Sequence, residues 1–215
     1  MTAAPELFKA YLATDAKLVA AGAHPTPKPW LEQLERFYTH PTALRFVARV
    51  GRGGAKSMVS VRTALVEMLF GDFNVPPGER HYMVHVSIRL DEARQRLIQI
   101  AKYLEMLGVP SVTRDDKVEL IDERRGYWTL PCTIGAVSGP RSFGSREDEL
   151  AKWRNADNSA NPADEVDASL DAMAITHAEA RSMLVSSPMS TLDHHAKLFE
   201  EARVFRKCRP TRDSG

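Results

Sequence analysis

Gly51-Arg52-Gly53-Gly54-Ala55-Lys56-Ser57 places three glycines immediately before a lysine and a serine. Those are the residue types that hold a phosphate chain. Glycines let the backbone take unusual dihedrals and bring its N–H groups close to an anion. A helix N-terminus following such a loop adds a favourable partial charge. Lys56 would reach the β- and γ-phosphates of ATP, and the Ser57 hydroxyl would ligate Mg²⁺. The phosphate-loop pattern G-x-x-x-x-G-K-[ST] is met at its Lys-Ser end, while Val50 and Ala55 stand where it has glycine. Alanine is the smallest replacement at that point, so binding is expected to weaken and not to vanish. The competing reading, a glycine-rich turn, accounts less well for Lys-Ser between a strand and a helix.

Hydrolysis at such a loop needs two carboxylates, one for the metal shell and one to orient water, at the end of a buried strand. Two Asp-Glu pairs compete. Asp122-Glu123 follows the apolar "VELI" but opens the charged turn "DERRG", where solvent is the usual neighbour. Asp148-Glu149 follows the polar "SFGSRE", which does not read as a buried strand, and opens "DELAKWRN", laid out like a helix start. The local pattern leaves the choice open.

The flanking periodicities supply the scaffold. Residues 5–21 have helical spacing, "AGAHPTPKP" is a linker, and "WLEQLERFY" is a short helix. Residues 43–50 read as a strand running into the glycine cluster, and "KSMVSVRTALVEMLFGD" as the helix after it. "HYMVHVSI" (81–88) reads as a buried strand and "RLDEARQRLIQIAKYLEMLGV" as an amphipathic helix. "KVELI" and "GYWTLPCTIGAV" read as two strands, and the polar stretch 139–164 as helical at best in part. "VDASLDAMA" is a helix, "ARSMLVSSP" a buried strand with a small-residue loop, and "DHHAKLFEEARVF" a last helix. Strands alternating with helices predict an α/β domain with a mostly parallel central sheet.

The composition is that of a soluble globular protein, 43% hydrophobic and 27% charged, with a formal net charge of +1. Such a balance excludes a global positive field for nucleic acid. Cys132 and Cys208 are too few for a disulfide framework and too isolated for zinc. No apolar run approaches a membrane span, and the N-terminus has no secretory core, so a cytoplasmic location is expected.

Other candidates read more plainly. On a strand His81 and His85 lie too far apart to share a metal. His194-His195 reads as a surface pair at a helix start, and Trp30, Trp128 and Trp153 as core or interface anchors. Arg141, Arg146, Lys152 and Arg154 form a loose basic group around the second acid pair, and "RVFRKCRPTR" is a basic tail able to meet DNA phosphates.

Taken in order, these pieces resemble the large terminase subunit of tailed bacteriophages, from about residue 30 to 205. "RVGRGGAKS" looks like the terminase Walker A loop, with Arg52 in the place of its arginine four residues before the lysine. "VHVSIRLDEARQRL", "KVELIDERRGYWTLPC", "DELAKWRNADNSANPADEVDASLDAMA" and "MLVSSP" are similar to the segments that follow in that family. The resemblance implies a P-loop NTPase fold of the ASCE type with a small N-terminal helical segment. It divides the chain into residues 1–40 (helices and linker), 41–205 (ATPase domain) and 206–215 (basic tail), with no nuclease domain. It assigns Asp148 to the metal shell, Glu149 to water activation, Lys56 and Arg52 to phosphate charge, and Ser186 and Ser187 to coupling; a place near the adenine is the lesser alternative to the anchor reading of Trp30. ATP and Mg²⁺ follow as cofactors. Double-stranded DNA, a portal protein and a small terminase subunit follow as partners of a ring oligomer in the host cytoplasm; the nuclease that the family carries is expected either on a separate chain or as lost from a truncated prophage remnant. Two departures, Ala55 and the polar string where the family has an apolar strand, point to the alternative of a vestigial prophage remnant that binds nucleotide without hydrolysis.

Overall fold

Proline, glycine and capping residues punctuate the chain where elements change. The computed structural model, which describes residues 4–121, 123–139, 141–153 and 162–207, follows that punctuation closely. Asp122, Arg154 and the tail from residue 208 onward lie outside the described residues. Helices α1 (Ala4–Ala20) and α2 (Lys28–Thr39) precede the first strand, β1 (Arg45–Arg49). There follow α3 (Lys56–Phe70), β2 (His81–Ser87), α4 (Leu90–Met106), β3 (Ser111–Thr113), β4 (Lys117–Leu120) and β5 (Arg125–Pro131). The chain continues through α5 (Ile134–Val137), β6 (Ser142–Asp148), α6 (Ala163–Met173), β7 (Arg181–Ser186) and α7 (His194–Lys207).

The seven strands form one sheet in the order β1-β7-β6-β2-β5-β4-β3. The first five of these run parallel, and β4 and β3 extend the sheet antiparallel. Parallel strands need crossovers that cover both faces, which the helices provide. Leu65, Ile100, Leu104 and Phe143 belong to one apolar cluster, with α3 and α4 over the sheet. Val84, Val86, Val166, Leu170 and Leu184 belong to another, under α6. A third cluster joins Leu7, Tyr11, Trp30 and Leu34 of the two N-terminal helices to Val59 and Val66 of α3.

Because α1 and α2 lie over α3, that helix is buried on nearly every side, including its polar residues Arg62 and Glu67. Arg62 pairs with Asp15 and donates to the His24 carbonyl at 2.6 Å and to Thr26 Oγ1 at 3.1 Å, which ties the Pro-rich linker to the domain.

The polar string before Asp148 corrects the sequence reading. "SFGSRED" is β6, buried along all seven residues between β2 and β7, so no strand is missing. It tolerates polar composition because its side chains find partners on both faces. Arg146 forms an ion pair with Glu67 at 2.8 Å and donates to Thr63 Oγ1 and to the carbonyls of Ser145 and Arg181. On the opposite face Glu147 accepts from Ser145 Oγ at 3.2 Å. Burial, reinforced by Asp167, pushes the Glu147 carboxyl well above its ordinary range. Arg146 is therefore a core residue and not part of a basic surface group.

Three smaller differences follow from local chemistry. "GYWTLPCTIGAV" is not one strand: β5 stops at Pro131, and Thr133 caps the short α5 by accepting from Ala136 N–H. The three-residue β3 is too short to leave a periodic signature. His194-His195 is not a surface pair, since His195 is fully buried and His194 Nε2 lies 2.9 Å from Asp167.

Candidate functional site

The glycine loop leaves β1 at the end of the sheet where the parallel strands β6 and β7 also end. Val50 N–H donates to the Ser186 carbonyl at 2.9 Å, pinning the root of the loop to β7. Gly54 N–H then turns back to the Gly51 carbonyl at 3.2 Å. Gly53 has φ +74°, and Ala55, the N-cap of α3, has φ 60° and ψ 14°. A methyl-bearing residue in that left-handed region is strained by about 1–2 kcal/mol. Val50, at the other departure from the glycine pattern, packs into the space left by Gly54: a Cβ there would lie 2.3 Å from Val50 Cγ1. Trp30 of α2 holds the same turn from outside, its Nε1 donating to the Gly54 carbonyl at 2.7 Å. Ala55→Gly is expected to raise stability by up to about 1 kcal/mol, the relieved dihedral strain less the added entropy of unfolded glycine. Thermal unfolding of the variant checks this; a loss of stability would mean that the Ala55 methyl packing outweighs the strain.

Every described residue singled out for this chemistry, apart from Arg52, is drawn into one constellation. Lys56 is buried and its Nζ donates to the Val50 and Gly51 carbonyls and to Ser187 Oγ, at 3.1, 3.3 and 2.9 Å. The same ammonium lies 3.7 Å from Glu149 Oε1. Ser57 Oγ is 3.4 Å from Asp148 Oδ2. Glu149, itself at φ 55°, faces Ser186 Oγ at 3.4 Å, Ser187 N–H at 3.3 Å and Lys152 Nζ at 3.4 Å. Arg52 is exposed on the loop and makes no polar contact among the described residues. Of the other acid pair, Glu123 lies 3.6 Å from Arg125.

Two neighbours of Asp148 escape sequence reasoning. Arg96 of α4 places Nε 3.4 Å from Asp148 Oδ2, and His85 of β2 places Nε2 3.9 Å from the same oxygen. The Arg96 helix reads as ordinary scaffold and the His81–His85 spacing speaks only against a shared metal, so nothing in either local pattern places them beside Asp148. His85 is fully buried, with neither ring nitrogen hydrogen-bonded. Burial, then the nearby Arg96 and Arg146, push its pKa down to about 3. As pH falls below about 6.5 the unfolded imidazole takes up a proton that the folded one refuses until about 3. Stability is therefore lost on acidification through that window, by about 2 kcal/mol for this group at pH 5. Urea midpoints between pH 7 and 5, compared with a flatter profile in His85→Leu, test this; equal slopes would remove His85 from the cause.

No group of three or more His, Cys, Asp or Glu among the described residues is arranged to hold a metal. The donors that suit a hard divalent cation are Ser57 Oγ and the Asp148 carboxylate, whose Oδ1 is buried without a hydrogen-bond partner. Such a pair fits Mg²⁺ when phosphate oxygens complete the shell.

Beside the loop, a cavity of about 290 Å³ runs along the outer edge of β1, lined by Pro29, Trp30, Phe46, Val50, Arg49 and Phe199 among others. Its walls come from α2, β1 and α7.

A mostly parallel sheet with this loop after an edge strand, and with Asp148 ending β6 one strand beyond β7, has the P-loop NTPase fold. Within that class the chain shares the architecture of phage large terminase ATPase domains. It superposes on the HK97 bacteriophage large terminase with a TM-score of 0.73 and 14% identity, over 97% of this chain and 45% of that one. The Thermus phage P74-26 large terminase ATPase domain gives a TM-score of 0.56 and 14% identity, over 82% of this chain and 75% of that chain. A large terminase from a thermophilic bacteriophage, in complex with ADP, gives 0.55 and 10%, over 75% of this chain and 38% of that chain. The chain thus spans less than half of the HK97 protein. No family model matches it, and no curated protein is similar to it in sequence. The likeness is one of fold. No helix among the described residues is long and apolar enough to cross a membrane.

Proposed function

We propose that the chain is the ATPase domain of a phage or prophage large terminase, coupling ATP hydrolysis to the packaging of double-stranded DNA. The observation that carries this reading is the convergence of Lys56 and Ser57 with Asp148, Glu149, Ser186 and Ser187 at one end of the sheet. In it, the amides of Gly51 to Ser57 receive the phosphates, and Lys56 and Arg52 neutralise their charge. Ser57 and Asp148 would hold Mg²⁺, which would supply neutralisation of the phosphate charge. Glu149 orients the attacking water. Ser187 and Ser186 touch Lys56 and Glu149 respectively, so a change at either charged residue is felt directly at the end of β7. The apolar cavity beside Trp30 suits the base of the nucleotide, since Trp30 also holds the phosphate loop. A portal protein and a small terminase subunit complete the motor, which works as a ring in the host cytoplasm.

A phosphate-release assay on the purified chain, with and without double-stranded DNA, tests this proposal. DNA-stimulated turnover supports it; absence of both turnover and nucleotide binding rejects it. A second reading, a vestigial domain that binds without hydrolysing, is favoured by one feature: Lys56 is turned onto the carbonyls of its own loop and toward Glu149. Binding without turnover under every condition, DNA included, selects that reading.

A further inference from the structure

Asp148 already has a cation beside it. One of its oxygens, Oδ2, is approached by Ser57 Oγ at 3.4 Å, by Arg96 Nε at 3.4 Å and by His85 Nε2 at 3.9 Å, while Oδ1 is left without a hydrogen-bond partner. Of these neighbours Ser57 is uncharged, and His85 is the farthest, with neither ring nitrogen hydrogen-bonded. Arg96 alone of the three brings a formal positive charge. Its side chain is 23% exposed, so it lies at the mouth of the site and not within the core, whereas Asp148 is 4% exposed. A carboxylate buried to that degree is costly unless its charge is balanced. The guanidinium provides the balance, at the same oxygen that the Ser57 hydroxyl faces.

We propose that Arg96 is the resident counter-ion of Asp148 and keeps a divalent cation out of the site until a nucleotide arrives. The inference rests on the ATPase reading above and extends it to the order in which ligands enter. A free divalent cation has to displace Arg96 from Asp148 and finds only one carboxylate and one hydroxyl in return. That is too little to offset the loss of hydration and of the Arg96 contact, because such a cation keeps most of its waters and is held through few protein oxygens. A nucleotide changes both sides of the exchange. Its phosphates complete the cation's shell, and they offer the guanidinium a second set of oxygens in the geometry arginine binds well. Cation and nucleotide thus enter together. Arg96 acts through Asp148 in the resting site, as a positioning residue that sets metal access.

The test uses Mn²⁺ as the probe, followed by the electron paramagnetic resonance signal of free Mn²⁺, on the full chain in its original form and as Arg96→Gln and Arg96→Lys. Without nucleotide, Arg96→Gln is expected to bind Mn²⁺ on the order of tenfold more tightly, since removing a charge beside a carboxylate removes its competitor. Arg96→Lys keeps the charge and is expected to bind as weakly as the unaltered chain. A merely structural role for Arg96 moves the affinity the other way, because disordering Asp148 weakens metal binding. Equal or weaker Mn²⁺ binding by Arg96→Gln overturns the inference. A parallel titration with a fluorescent ATP analogue, using Lys56→Ala as the control, separates the two levels of the argument. Analogue binding that depends on Lys56, with unchanged Mn²⁺ affinity in Arg96→Gln, rejects the role of Arg96 alone. No analogue binding at all rejects the ATPase reading and this inference with it.

Discussion

Lys56→Ala is expected to abolish triphosphate binding, while Glu149→Gln leaves binding in place and lowers turnover by roughly 10²–10⁴-fold, the range that a positioned general base supplies. The two residues lie 3.7 Å apart yet should fail differently. Lys56 leads α3 directly out of the glycine loop, and its ammonium is held by loop carbonyls and by Ser187. Those neutral acceptors are weak partners compared with a phosphate, so the amine is available for transfer to the γ-phosphate. Removing it takes away charge that the phosphates meet in both ground and transition states. Affinity should fall with it.

On the proposed reading Glu149 would not serve as a phosphate ligand. It sits at the end of β6 in a left-handed conformation, restrained by Ser186 Oγ, Ser187 N–H and Lys152. Glutamine preserves its size and some of those contacts but cannot take a proton from water. The loss should then appear in kcat with KM for ATP nearly unchanged. Equilibrium binding of a fluorescent ATP analogue and steady-state phosphate release, measured on both variants, check the pair. If Lys56→Ala binds nucleotide normally, the loop is not the phosphate site. If Glu149→Gln turns over at the original rate, water is activated elsewhere, and Asp148 becomes the residue to examine.

The part of this site that could be read from sequence is the part made of consecutive residues. Glycines followed by Lys-Ser, with a strand before and a helix after, carry their meaning in a nine-residue window, and the structure has the strand, loop and helix in that order. The carboxylates were ambiguous for a physical reason. Periodicity arguments count side chains as apolar or polar, and β6 is a buried strand whose polar residues are satisfied by partners far away in sequence. Arg146 meets Glu67 on α3, 79 positions earlier, and the Glu147 carboxyl, pushed up first by burial, also feels the like charge of Asp167 on α6. No local window contains both members of either pair. Arg96 and His85 were invisible on the same grounds: each is unremarkable within its own element and gains its meaning only when α4 and β2 are folded against the end of β6. His195 is the reverse case: a polar pair at a helix start has the pattern of a surface, yet one member is fully buried.

The dependence of β6 on its partners makes Arg146→Leu the substitution with the largest expected cost to stability, about 3–5 kcal/mol, as for other buried ion pairs broken on one side. Both side chains of the Arg146–Glu67 pair are about 1% exposed. Leucine would leave the Glu67 carboxylate with the Tyr38 hydroxyl as its donor, at 2.6 Å, and no positive charge. It would also leave Thr63 Oγ1 and the carbonyls of Ser145 and Arg181 without the donors they have now. In a chain of this length the loss corresponds to a fall in Tm of roughly 10 °C. Replacing both members, Arg146→Leu with Glu67→Leu, removes the stranded charge as well as the pair and should recover much of the loss, because an apolar replacement of a buried ion pair is often near neutral. Urea unfolding of the two single variants and the double variant measures the coupling directly. Strict additivity would mean that Arg146 and Glu67 do not compensate each other, and the account of why a polar strand can occupy the centre of this sheet would fall. Strong coupling would tie the acids to the core: Asp148 and Glu149 follow Arg146 by two and three residues, so the pair that stabilises β6 also sets the position from which the carboxylates face the phosphate loop.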